Sequence, residues 1–185
     1  MTNYTSSRRP LAALRKADKI LISLFTMAIA VAMLVGVLNF YERTHLTVQG
    51  TEEWLRGNEE DPNPESLHFP KTALELLDVT HPHLFFQSLM FFILCHIFSM
   101  TQVGDRRKIT LYLIAFGTVF TEAGLPWLIR FASGLFSPLL VASTTVMSLT
   151  ILILLIVPVR EMWGSAVPQA SPGLPATRPT ERSVS

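Results

Sequence analysis

Four long apolar segments constrain this chain more than any other feature of its sequence. They cover residues 19–41, 81–103, 109–131 and 137–159. Each is close to the ~20 residues that a helix needs to cross a hydrocarbon layer of about 30 Å. Apolar residues make up 49% of the 185 residues, and they are gathered in runs longer than a soluble core requires. The sequence therefore predicts an all-α integral membrane protein with four transmembrane helices.

The charged residues predict the direction of these helices. A basic arm, residues 1–18, precedes the first segment, Arg106, Arg107 and Lys108 separate the second and third, and Arg160 follows the fourth. Because basic residues favour the cytoplasmic side, both termini are expected there, in an up-down antiparallel bundle. Residues 160–185, rich in proline and serine, are expected to be a largely disordered cytoplasmic tail. The predicted location is a bacterial cytoplasmic (inner) membrane.

The connection between the first two segments, residues 42–80, is acidic and is predicted to be extracytoplasmic. A short helix capped by Thr51 and a later amphipathic helix on the membrane surface are expected within it. Pro82 fits the first turn of the second span, where a missing amide proton costs nothing. Cys95 is the only cysteine, which excludes an internal disulfide and the CxxC chemistry of vitamin K epoxide reductase and disulfide-oxidase proteins.

Three histidines near the outer ends of the first two spans are candidate metal ligands. They are His45, His81 and His83. Neutral imidazoles suit zinc, copper or haem iron. On a continuous helix, residues two apart point about 200° from each other. His81 and His83 can therefore converge only if His81 lies in the helix cap, and the alternative is a plain capping or surface role.

His96 is a candidate axial ligand deeper in the second span. Met27 lies at a comparable depth on the first span and could complete a His/Met pair for haem b. A copper ion is the other cofactor that these histidines suit. The alternative is a histidine hydrogen-bonded within the bundle.

Glu122 is an acidic residue at membrane depth, where a charge costs roughly 2.5–3.5 kcal/mol by insertion scales. Pro126 has no amide proton, so the carbonyl of Glu122 lacks its usual helical donor. Gln87 and Thr144 are expected at a similar depth. This intramembrane polar group could hold a water, a proton or a small cation, or could fasten helices together.

Three hypotheses about function follow. The first is a non-catalytic accessory subunit of a larger redox or energy-converting membrane complex, with the lipid bilayer, other membrane subunits and a periplasmic protein at the acidic loop as partners. The second is a small proton or ion pathway that uses Glu122 and His96. The third is an enzyme acting on a lipid or quinone through His83 and Glu122. The near-zero net charge argues against a nucleic-acid partner.

Overall fold

A computed structural model describes residues 11–62, 64 and 66–164. The described part is entirely helical, with short 3₁₀ turns at Leu11–Ala13 and Gly134–Phe136. Four of its helical stretches are long and apolar enough to span a membrane, as the sequence predicts. The helices in chain order are α1 (Lys16–Thr44), α2 (Val48–Arg56), α3 (Ala73–Ser99), α4 (Asp105–Phe131) and α5 (Ser137–Gly164).

The helix that carries the second span begins earlier than the sequence suggests. The amphipathic stretch before residue 81 is continuous with it, so α3 starts at Ala73. A capping box fixes this start: Thr72 Oγ1 accepts a hydrogen bond from Glu75 N at 3.2 Å, and Glu75 Oε2 accepts one from Thr72 N at 2.7 Å. Pro82 consequently lies in the interior of α3 and not in its first turn.

The short helix α2 also starts at a different residue. Thr47, not Thr51, is its N-cap, and the Thr47 side chain accepts a hydrogen bond from Gly50 N at 2.9 Å. Thr51 is instead a buried residue within α2. Residues 1–10 and 165–185, which include most of the predicted basic arm and tail, lie outside the described residues.

Two apolar clusters form the core, one at each end of the bundle. We call the end that carries α2 the cap end, and the end that carries the turn between α3 and α4 the hairpin end. The hairpin-end cluster consists of Phe91, Leu94, Cys95, Phe98, Ala115, Val119, Ile151, Leu154 and Leu155. The cap-end cluster consists of Leu55, Leu76, Leu125, Ile129 and Leu140.

Helix α1 lies at the periphery of the bundle. None of the residues in its most apolar stretch is buried. At the hairpin end it is held against the end of α5, where Lys19 Nζ donates to Met162 O at 3.0 Å and Trp163 Nε1 donates to Ser23 Oγ at 3.1 Å. The start of α1 therefore lies beside the end of α5.

A buried lysine closes the hairpin end. Lys108 is only 5% exposed, and its Nζ donates to Ser99 O and to Thr101 O, both at 2.8 Å. These carbonyls lie at the end of α3 and just beyond it, where a cation interacts favourably with the helix dipole. The Glu161 carboxylate accepts from Gln102 N at 2.8 Å, which ties the same turn to α5.

Replacing Lys108 by methionine tests this closure. Lys108→Met keeps most of the side-chain volume but removes the ammonium group that bonds both carbonyls, and the loss of such hydrogen bonds costs about 1–3 kcal/mol. We expect the thermal unfolding midpoint in detergent to fall. Arg107→Met, at an exposed position one residue earlier, is the control and should leave the midpoint almost unchanged. Equal effects of the two substitutions would contradict the role given to Lys108.

Candidate functional site

Glu122 contacts α5 through Thr144. The Thr144 hydroxyl oxygen lies 3.0 Å from Glu122 Oε1 and 3.2 Å from Oε2. The same hydroxyl lies 3.0 Å from Leu140 O, one turn earlier in α5. Glu122 follows Ala115 by seven positions and Thr118 by four, and both are buried, so it shares their inward face of α4. The structure thus brings together two of the residues that the sequence places at one depth.

Two further hydroxyls extend this contact between α4 and α5. Thr121 Oγ1 and Ser143 Oγ lie 2.5 Å apart, and either oxygen can be the donor. Thr121 Oγ1 also lies 3.0 Å from Thr118 O. Ser143 is buried and also hydrogen-bonds the carboxylate of Glu122. This pair could not be recognised from the sequence, because serine and threonine in an apolar helix most often bond their own backbone.

Gln87 of α3, which the sequence places at a similar depth, makes no side-chain hydrogen bond within the described residues. It precedes Phe91 by four positions and Leu94 by seven, so it lies on the buried side of α3, and it is half-buried. We call Thr121, Glu122, Ser143 and Thr144 the polar layer. The layer lies between the cap-end and hairpin-end clusters and so interrupts the apolar core.

His96 and Met27 do not join this layer. His96 is exposed and its ring stacks on Phe92, with the ring centroids 6.4 Å apart. It follows Gln87 by nine positions and therefore points about 180° away from it. Met27 is 59% exposed on α1. Both side chains face away from the core, so neither occupies the inward position that the haem hypothesis requires.

The three outer histidines occupy separate local environments. His45 ends α1 in a left-handed conformation and meets the edge of Tyr41. His81 and His83 both lie within α3, so the condition for their convergence is not met. His83 Nδ1 lies 2.8 Å from Val79 O and bonds it. Within residues 11–62, 64 and 66–164, no three His, Cys, Asp or Glu side chains are grouped as metal ligands.

Helix α2 forms a cap on the ends of α3, α4 and α5. Leu55 is fully buried against them. Arg56 Nη1 donates to Ile129 O at 3.1 Å, and Arg130 Nε donates to Lys71 O at 2.7 Å. These long-range bonds attach the end of α2 and the residues just before α3 to the end of α4. The expected Thr51 cap indicated a short helix here, but its docking site could not be read from the sequence.

The loop after α2 is closed at its base by Asn58. Asn58 Oδ1 accepts from His68 N at 2.8 Å, and Asn58 Nδ2 donates to Ser66 O at 2.8 Å. Gly57 adopts a φ of 87° beside Pro70, and a Cβ at that position would meet the proline ring at 2.7 Å. We call residues 58–68 the clamped loop.

At the cap end the basic side chains contact other groups of the protein. Arg43 and Lys71 both lie over the ring of Trp54, at 5.2 Å and 5.4 Å from its centroid. Arg56 and Arg130 bond backbone carbonyls, as described above. The acids of the clamped loop that the structure describes are exposed: Glu59, Glu60 and Asp61.

Residues 45–169, about two thirds of the chain, match the Aq_1264_TM family, which is described as a transmembrane helical domain. The chain belongs to this family. The family region contains the cap, the polar layer and the helices α2 to α5, and it starts directly after α1 ends at Thr44. No curated protein and no solved structure matches the chain. The family and the four apolar helices together identify a multi-pass membrane protein that resides in a lipid bilayer.

Opening the clamped loop should make it sensitive to protease. Asn58→Ala removes both side-chain bonds at the base of the loop, so we expect cleavage within residues 59–67 to become several-fold faster in limited proteolysis. Asn58→Asp keeps the acceptor for His68 N and should give an intermediate rate. Asn39→Ala, at an exposed position of α1, is the control. Unchanged cleavage in Asn58→Ala would show that the loop is held by other contacts.

Proposed function

We propose that this protein is a non-catalytic subunit of a larger membrane complex, and that its clamped loop binds a basic surface of a partner outside the cytoplasm. The observation that carries the proposal is the charge separation at the cap end. Four basic side chains there bond carbonyls or lie over Trp54, whereas Glu59, Glu60 and Asp61 of the clamped loop are exposed. Residues 58–68 contain no lysine or arginine, so the clamped loop presents an acidic surface.

The position of the basic residues supports a cap end outside the cytoplasm. Lys16 opens α1, Arg106 and Arg107 open α4, and Arg160 lies near the end of α5. The bonds from Lys19 to Met162 and from Gln102 to Glu161 gather these helix ends at the hairpin end. An excess of basic residues favours the cytoplasmic side of the membrane.

A binding role fits the cap better than catalysis does. The cap is anchored to the bundle, so its surface is preorganised and little ordering entropy is lost when a partner binds. Leu67 and Phe69, at 57% and 63% exposed, lie beside the acidic turn and offer apolar contact area. The acids attract a basic partner at long range, and the apolar side chains contribute once contact is made.

The polar side chains of the bundle give less support to an enzyme. General acid–base catalysis requires a titratable side chain within hydrogen-bond reach of a substrate proton. His83 bonds the backbone carbonyl of its own helix, and Glu122 bonds hydroxyls of α5. The proposal therefore assigns no catalytic residue.

Neutralising three acids of the clamped loop tests whether this loop binds the partner. We expect the triple substitution Glu59→Gln, Glu60→Gln and Asp61→Asn to reduce co-purification of the partner from native membranes in mild detergent. The wild-type interaction should also weaken with added salt, because exposed charges are screened beyond about 10 Å at 0.1 M. The partner is identified by mass spectrometry.

The control is the double substitution Glu42→Gln and Asp78→Asn, which removes exposed acids at the same end outside the clamped loop. It should retain the partner. Retention by the triple variant at every salt concentration would refute docking through the loop. Purification of the wild-type protein alone from native membranes would refute the subunit role itself.

A further inference from the structure

We infer that the polar layer is a site that binds and releases one proton through the cap end and conducts none to the hairpin end. Its central residue is Glu122, and its partners are Thr144 and Ser143. This inference is independent of the docking role of the clamped loop. It also differs from a proton pathway, because it assigns the layer one entrance only.

The Thr144 hydroxyl can donate only one hydrogen bond. It lies within bonding distance of both Leu140 O and the Glu122 carboxyl group. A carbonyl can only accept. If Thr144 donates to Leu140 O, its contact with Glu122 is a hydrogen bond only when the carboxyl group is protonated and donates. If Thr144 donates to Glu122, the ionised carboxylate accepts.

The two arrangements therefore differ by one proton and one hydroxyl rotation. The neighbouring pair behaves in the same way, since Thr121 and Ser143 can exchange donor and acceptor roles across 2.5 Å. Ser143 also reaches Glu122. The layer can satisfy Glu122 in either protonation state without moving a helix.

The charged groups on the helices around Glu122 affect its protonation. No lysine, arginine or histidine forms an ion pair with it within the described part of the chain. On α3, His83 bonds Val79 O. On α2, Glu52 and Arg56 pair with each other at 3.6 Å, and on α4 Arg130 bonds Lys71 O.

Helix α5 carries no charged residue before Arg160. Since an unpaired charge at membrane depth is costly, a proton is the ligand that balances the carboxylate there.

A proton must reach Glu122 from one end of the bundle. Glu122 lies five residues below Trp127, which is about 8 Å along the helix, but fourteen residues or about 21 Å from Lys108. Trp127 Nε1 bonds Thr80 Oγ1 at 3.0 Å near the cap. The cap-end cluster of five buried side chains lies on the shorter side, and the hairpin-end cluster of nine fills the longer distance. His96, the other titratable group proposed from the sequence, faces away from the layer.

A buried hydroxyl lies on the shorter side. Ser137 is fully buried, and its Oγ has no hydrogen-bond partner within the described residues. It precedes Thr144 by seven positions, so it lies on the same face of α5, about 10 Å nearer the cap. A buried polar group with unused bonding capacity is uncommon in proteins. Its position supports proton exchange with the cap end.

Infrared spectroscopy of the protein in lipid vesicles of known orientation tests the site. We expect a carbonyl stretching band of a protonated carboxylic acid to appear and disappear reversibly within a scan from about pH 4 to about pH 9. The band should be lost in Glu122→Gln and retained in Glu161→Gln, which removes a carboxylate at the hairpin end. Thr144→Val should shift the band frequency, because the frequency reports the hydrogen bonds of Glu122.

The Thr144→Val shift assigns the band even if Glu122→Gln fails to fold. Changing the pH on one side of the membrane tests the access route, and the band should follow the cap side alone. A band that stays constant across the scan would overturn the inference and make the layer a structural fastening. A band that responds to the pH on the hairpin side would overturn the inference of a single entrance. Faster proton leakage in wild-type vesicles than in Glu122→Gln vesicles would overturn it as well.

Discussion

Hydrocarbon offers no hydrogen bonds, so every backbone polar group at membrane depth must find its partner within the protein. Helices meet this requirement along their length but not at their last turn. In this protein a basic side chain from another element bonds a carbonyl at or near the C-terminal end of three long helices. Lys108 does so for α3, Arg56 for α4 and Lys19 for α5. The same bonds join elements that are distant in sequence, so helix ending and tertiary assembly depend on one type of interaction.

The apolar segments and the charges beside them were sufficient to predict the all-helical class and the four long apolar helices. They could not predict which cation meets which carbonyl, because that depends on the rotation and tilt of each helix. His96 illustrates the limit: the sequence gives its depth but not its direction, and its side chain faces outward. Gly117 and Gly124 illustrate it again. Small residues in a transmembrane helix favour close helix packing, but a Cβ at either position would have no neighbour within 4 Å.

Part of the polar layer was predictable, because the position of a residue along its apolar segment gives its depth in the membrane. Glu122 and Thr144 lie on two neighbouring helices, and these two residues of similar expected depth are in contact. Ser143 and Thr121 were not selected, since only the structure shows that their hydroxyls meet. The base of the clamped loop was missed for another reason. Asn58 bonds residues that are eight and ten positions later, and no periodic pattern signals such a closure.

The peripheral position of α1 has a consequence for how freely its sequence can vary. Every fully buried member of the two apolar clusters comes from α2 to α5, and the family region covers those same helices. Lipid, which is fluid and tolerates many side-chain shapes, surrounds most of α1. Its residues between Lys19 and Thr44 are therefore selected mainly for hydrophobicity and for the length of the helix. We expect the sequences of relatives to differ more in this helix than in the other three long ones.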